Sequence, residues 1–373
     1  MKRAGDVMCG NCNINEAQVF PAEEDVMYTS IRPGQVWLDT NGNRIQAHGG
    51  SIITVGDTFY WYGENKEKTL PDSGIWHYGV RMYKSKDLYN WEDLGLVLPP
   101  ELGDAENPLH PSQCMDRPHI LFCTKTGKFV LWMKIMGRNG IQFQTIASAG
   151  TITGPYTVIK RFRPLGMSCG DFDLVVEPTD GKGYYYFERV HSELICADLT
   201  DDYTDVTGYY STHFPRTNPP FVREAPAYFR RGRLHYLFTS GSTGYFPNQS
   251  EVACSWSYHG PWKLLGDPHP GDIEHVSHRS QITSVFKHPG KKHLYIALAD
   301  RWFTDLPEKL PDIGGAFNGA FASEAVDWSK LKALNSLTKH NISVADYVWL
   351  PVRFDGEMAY LDWHDEWRIE DYE

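Results

Sequence analysis

The chain lacks any apolar stretch long enough to cross a bilayer, which argues against a helical membrane span. Its start, "MKRAGDVMCGNCNINEAQ", carries two basic side chains but no apolar run behind them, so no signal peptide is expected. As given, the chain reads as cytoplasmic; trimming of a leader would make it secreted or periplasmic. Positive charge is also scarce. Lys and Arg number 36 against 47 Asp and Glu, a formal net charge of −11. That excludes the basic footprint that nucleic acid needs and argues against an anionic membrane surface as partner. The seven cysteines, at positions 9, 12, 114, 123, 169, 196 and 254, are odd in number and scattered. This fits a reducing compartment better than a disulfide framework. "CGNC" at 9–12 has zinc or redox spacing, but no second such pair accompanies it, and it reads as two free thiols in a loose tail. No phosphate-cradling loop and no nucleophilic serine elbow is present.

Aromatics, by contrast, are plentiful: 12 Trp, 21 Tyr and 18 Phe. Such rings favour pleated, half-buried strands, and carbohydrate binders are rich in them too. They recur in a pattern, a Gly-containing turn followed by an aromatic strand. The copies are "GDTFYWYG" (56–63), "TGKFVLWM" (126–133), "GKGYYYFE" (181–188), "GRLHYLFT" (232–239), "KKHLYIAL" (291–298) and "GEMAYLDW" (356–363). The first five are trailed by "SKDLYNWEDLG" (85–95), "ITGPYTVI" (152–159), "LTDDYTDV" (199–206), "YHGPWKLL" (258–265) and "AVDWSKL" (325–331), each read as a turn into an outer strand. A repeat of roughly sixty residues built from short strands, with almost no helical periodicity, predicts four-stranded propeller blades. The expected fold is all-β: a single-domain, five-bladed β-propeller over 31–373, after an irregular N-terminal segment of 1–30. The sixth hairpin is expected to pair with N-terminal strands and close the ring. A two-sheet sandwich would leave the paired repeat unexplained.

In a propeller, polar residues near the start of an inner strand point into a shared axial pocket. The segments before the hairpins offer Gln46 and His48, Asp116, Asp171 and Asp173, Glu224, Gln281, and lastly Asp346 with Trp349. For any one of them a turn or capping role is about as good an account. Three carboxylates converging in one aromatic-rimmed pocket, Asp116, Asp171 and Glu224, suggest glycoside hydrolysis. That reaction needs a protonated acid for the leaving oxygen and a second group on the opposite face of the sugar. Crowded like charges keep one acid protonated.

At these residues the chain resembles glycoside hydrolase family 43, five-bladed propeller enzymes that invert furanosides, xylosides and galactosides. The resemblance runs from about 37 to 367 and is strongest in "REAPAYF…GRLHYLFTSGSTGY", "GDFDLVVEPTDGKGYYYFE" and "AHGGSIITVGDTFYWYGE". It implies Glu224 as general acid and Asp171 as the residue that orients and tunes it. The family's usual Asp base is missing, since the step reads "AHGG" with His48 in its place. "AHGG…WYGE", "TSGSTGY" and the "SQ" before the fifth hairpin look like the exo-β-1,3-galactanase subgroup, in which a glutamine replaces that base. The matching residue is Gln281, expected across the pocket from Glu224 and holding the attacking water. Gln46, His48, Glu64, Asp116, Thr243, Tyr245 and Trp349 complete the expected substrate-binding set. "MDRP" departs from the subgroup's "ERP", which leaves Asp116 one methylene shorter.

The expected activity is release of a terminal galactose-type unit from plant-type polysaccharide side chains such as β-1,3-galactan. The alternatives are an α-L-arabinofuranosidase, β-D-galactofuranosidase or β-xylosidase of the same family, or a non-catalytic sugar-binding propeller. The partner is an oligo- or polysaccharide. No cofactor is required. The family often holds calcium near the axis, but no carboxylate-rich calcium loop is evident in the sequence, and the histidines of "HPSQ", "RVHSE" and "HVSHRSQ" read as structural.

Overall fold

A computed structural model describes residues 27–323 and 325–373. The "CGNC" pair and most of the predicted N-terminal segment lie outside the described residues.

Each aromatic hairpin is the middle of a sheet. The first blade orders His48–Val55, Thr58–Glu64, Val80–Ser85 and Glu92–Leu98, all antiparallel neighbours. The second runs Cys114–Cys123, Lys128–Met136, Gln142–Ala149 and Thr157–Phe162. The third runs Phe172–Val176, Gly183–Arg189, Glu193–Leu199 and Val206–His213. The fourth runs Arg223–Arg231, Leu234–Gly241, Glu251–Ser255 and Lys263–Gly266. The fifth has Gln281–Lys287 and Tyr295–Arg301, with an interrupted third strand at Asp346–Tyr347 and Leu350–Pro351. The first strands of blades one to five touch in a closed cycle, so the fold is a five-bladed β-propeller.

The aromatic runs follow from this arrangement. A middle strand is covered by a neighbouring blade on both faces, and its side chains alternate between those faces. In "YYYF", Tyr185 and Phe187 pack towards blade two, while Tyr184 and Tyr186 pack towards blade four. The other blade interfaces are filled in the same way. Trp37, Trp61, Trp91 and Trp349 form a nest of rings between blades five and one, with Trp61 and Trp349 centroids 4.5 Å apart.

Two expectations need correction. The segment 325–331 is not an outer strand. Asp327 accepts the Ser329 amide and caps a short helical turn, Trp328–Leu331, which packs with the helix Ile313–Ala320 in an excursion between Arg301 and Asp346. Capping by Asp in this way favours helix over strand. Among the described residues the sixth hairpin pairs with no N-terminal strand either. Arg353–Asp355 and Met358–Tyr360 form a two-stranded sheet that packs on blade four, through Phe354 against Phe229 and Tyr236. The N-terminal lead-in meets the chain just beyond, through an Ile31–Trp367 bridge.

Candidate active site

Three inner strands carry the same irregularity at their axial end. Pairing slips between His48 and Ser51, between Asp116 and His119, and between Glu224 and Ala227. In each case the residue after the polar one is left-handed: Gly49 (φ 61), Arg117 (φ 54) and Ala225 (φ 49). A bulge re-aims a side chain at the cost of ladder bonds and local strain. Pro118 and Pro226 follow directly, where no ladder donor is needed. This accounts for the "REAP" and "MDRP" steps, which turn Glu224 and Asp116 towards the axis. Gly49 must be glycine, since a Cβ there would lie 2.3 Å from Glu64 Oε1.

The result is a cavity of about 220 Å³, lined in part by Glu64, Asp116, Lys134, Asp171, Glu224 and Gln281. Trp76, Tyr245 and Trp302 form an aromatic side, with Trp76 and Tyr245 stacked at 5.6 Å and Tyr245 and Trp302 tilted at 4.9 Å. The Tyr245 hydroxyl is buried without a partner among the described residues.

Charges are paired closely at this end of the axis. Asp116 binds Lys134 at 2.6 Å and accepts the Trp76 indole N–H at 2.8 Å. Burial alone would raise its pKa, but Lys134 and Lys66 outweigh it and hold Asp116 down at about 2. The Arg117 guanidinium lies 3.1 Å from Asp171 and donates to the Ile282 carbonyl at 2.7 Å. Glu64 is bound to the buried Lys66 at 2.7 Å; burial pushes it up to about 7, with Asp116 adding to that rise and Lys66 opposing it. Glu224 goes furthest. Burial, then the charges of Asp171 and Glu188, lift its carboxyl well above the usual range, with Ser242 and Arg117 opposing only in part. A carboxyl so placed holds its proton near neutrality.

Glu64, Asp116, Asp171, Glu224, Tyr245 and Gln281 of the expected set therefore line one cavity. The other four are placed elsewhere. His48 is fully buried, bound to Asp300 at 3.0 Å and stacked on Tyr347. Gln46 bonds Ser343 and Lys66 through backbone groups. Thr243 donates to the Phe246 carbonyl and accepts from Asn248, which shapes the loop behind Tyr245. Trp349 is 1% exposed in the ring nest, because its segment is the third strand of its blade and not an inner one. Gln281 reaches the cavity but does not stand across from the acid. Its Nε2 donates to Glu224 Oε1 at 3.0 Å. That contact is far shorter than the roughly 6.5–9.5 Å gap of an inverting pair.

Sequence reasoning missed Trp76, Arg117, Lys134, Glu188 and Trp302. The signal for Glu188 was the last letter of "GKGYYYFE", and for Lys134 the charge directly after "FVLWM". Among the described residues no group of three or more His, Cys, Asp or Glu side chains could hold a metal ion. Arg117, Lys134 and Lys66 already bring cations to the carboxylates at this end of the axis, so the residues here do not fit the calcium ion considered from the resemblance.

The profile for glycosyl hydrolases family 43 matches residues 45–299, more than half of the chain. The chain belongs to glycoside hydrolase family 43. The propeller and its axial cavity are thus those of a member of this family. No curated protein sequence matches. Among solved structures, one family 43 β-1,3-galactosidase is 28% identical with a TM-score of 0.72; the match covers 92% of this chain and 64% of that one. The chain thus spans less than two thirds of that protein. A second family 43 β-1,3-galactosidase, solved with galactodeoxynojirimycin, is 26% identical with a TM-score of 0.74, over 91% of this chain and all of that one. An exo-β-1,3-galactanase from Clostridium thermocellum is 30% identical with a TM-score of 0.68, over 90% of this chain and 66% of that one.

Proposed function

We propose that this family 43 enzyme releases single galactose units from the end of β-1,3-linked galactan, with inversion. The observation that carries the reading is Glu224, a carboxyl raised by burial and then by its charged neighbours, at the wall of a small cavity. About 220 Å³ is below the roughly 300–1,000 Å³ typical of ligand sites. Such a volume suits one sugar ring and favours attack at a chain end. The galactose preference is supported by the similar structures, two of them β-1,3-galactosidases and one an exo-β-1,3-galactanase.

In this reading Glu224 protonates the leaving oxygen as the bond from that oxygen to the sugar breaks, and water adds to the opposite face of the sugar, its surplus proton passing to solvent. Asp171, held by Arg117, supplies the negative charge that keeps the acid protonated and steadies the positive sugar as it forms. Asp116 and Lys134 bind sugar hydroxyls, as an ionised pair with fixed geometry. The unpartnered Tyr245 hydroxyl and the Trp76 and Trp302 rings receive the rest of the ring.

A panel of nitrophenyl glycosides and β-1,3-galactooligosaccharides, with the released anomer followed by proton NMR, tests the proposal. Galactose released one unit at a time as the α anomer supports it. Preference for arabinofuranosides, galactofuranosides or xylosides would move the enzyme elsewhere in the family. Binding without turnover would make it a sugar-binding propeller.

A further inference from the structure

We propose that Trp302 is a positioning residue: its indole N–H fixes the Gln281 carboxamide so that amide N–H, and not carbonyl oxygen, faces Glu224. The inference rests on the reading of Glu224 as the acid. It follows from which atoms can donate. Indole nitrogen is a donor only. It lies 3.2 Å from Gln281 Oε1, so that oxygen is the acceptor. Gln281 Nε2 then points at Glu224 Oε1 and Ser240 Oγ, each at 3.0 Å. The Ser240 hydroxyl is free to accept, because its own hydrogen goes to the Gly241 carbonyl at 3.1 Å. A flipped amide would set its NH₂ group against the indole N–H, donor against donor. Ser240 could adjust by rotating its hydroxyl; Trp302 could not, so Trp302 decides the orientation.

The fold holds this arrangement in place. Gln281 begins the inner strand of blade five and pairs with Asp300 on the next strand. Trp302 follows two residues later, 5% exposed, with its ring against Tyr245 at 4.9 Å and His48 at 5.6 Å. Both ends of the bond are thus set by one hairpin.

The consequence concerns the proton of the acid. With an N–H donated to Oε1, Glu224 carries its proton on Oε2, where it is not given to Gln281. If the amide flipped, its carbonyl would accept that proton in a hydrogen bond. The protonated form would be favoured, and delivery to the leaving oxygen would be hindered.

Trp302→Phe keeps an aromatic side chain, smaller than indole, and removes the N–H. For a galactoside with a poor leaving group, kcat should fall about tenfold, part of the 10²–10⁴-fold typical of general acid catalysis. For an activated nitrophenyl galactoside the fall in kcat should be smaller, because that leaving group needs no proton, and the alkaline limb of the pH profile should move up. In a Gln281→Met background the same change should add no further shift, because no amide remains to flip. A uniform rise in KM with an unmoved limb would reduce Trp302 to a wall of the pocket and overturn the proposal. So would an equal limb shift in the Gln281→Met background. A readout free of turnover separates this from failure of the glycosidase reading. In ¹⁵N-Trp-labelled protein, the indole resonance assigned through Trp302→Phe should shift and lose exchange protection on Gln281→Met. An unperturbed resonance overturns the wiring whether or not the enzyme cleaves galactosides.

Discussion

Lys134 and Asp116 form an ion pair at 2.6 Å inside the axial cavity, and the other Asp116 oxygen accepts the Trp76 indole N–H. Both carboxylate oxygens are therefore committed, and Lys134 and Lys66 hold the group ionised down to about pH 2 despite its burial. Such a carboxylate is a poor proton acceptor and a good anchor for sugar hydroxyls. Asp116→Asn should raise KM about 10–100-fold, as for loss of a charged hydrogen bond worth ~1.5–3 kcal/mol. Added azide should not restore turnover. Rescue by azide would make Asp116 the base.

Asp171 is the first charge that raises Glu224. Asp171→Asn removes it, so the Glu224 pKa falls and the enzyme loses its protonated acid at lower pH. The alkaline limb of kcat/KM should move towards acid. A limb that stays in place, with only kcat reduced, would assign Asp171 to charge stabilisation alone.

Glu188 is buried behind Asp171 and raised to about 7, mainly by burial and then by Asp171, with the His191 amide opposing. A carboxyl whose folded pKa lies above its unfolded value favours folding while protonated. That contribution is complete below about pH 4.5 and is lost as pH rises through about 7. Glu188→Gln mimics the protonated form at every pH. Its Tm relative to wild type should therefore rise between pH 5 and pH 8. A difference that is flat with pH would contradict the assignment.

Gly49→Ala should be damaging out of proportion to its size. It places a methyl on Glu64 at a left-handed position. We expect a cost of about 1–3 kcal/mol from the strained backbone alone, seen as a lowered Tm, with activity falling as Glu64 and the neighbouring bulge shift.

The blades were legible because the period is carried by middle strands, whose two buried faces force unbroken aromatic runs such as "YYYF". Glu224, Asp116 and Asp171 were legible because each lies just before or at the start of an inner strand, where the alternation stops. Trp349 was misread by extending that rule to a segment that pairs two strands out from the axis. Residues 325–331 were misread because a Trp after a turn looks alike in an outer strand and in a capped helical turn. Lys134 and Trp302 belong to second strands or their extensions, and Trp76 to a loop. Their reach into the cavity depends on blade tilt and loop path, which no local pattern encodes. The direct contact of Gln281 with Glu224 is of the same kind, set by two adjacent blades.

The central claim is that Glu224 is the proton donor for release of terminal galactose. Its most direct test compares Glu224→Gln with wild type on β-1,3-galactobiose and on an aryl galactoside whose leaving group needs no proton. The account predicts a loss of about 10²–10⁴-fold on the disaccharide and a much smaller loss on the aryl galactoside. Near-normal hydrolysis of the disaccharide by Glu224→Gln, or equal losses on both substrates, would contradict it.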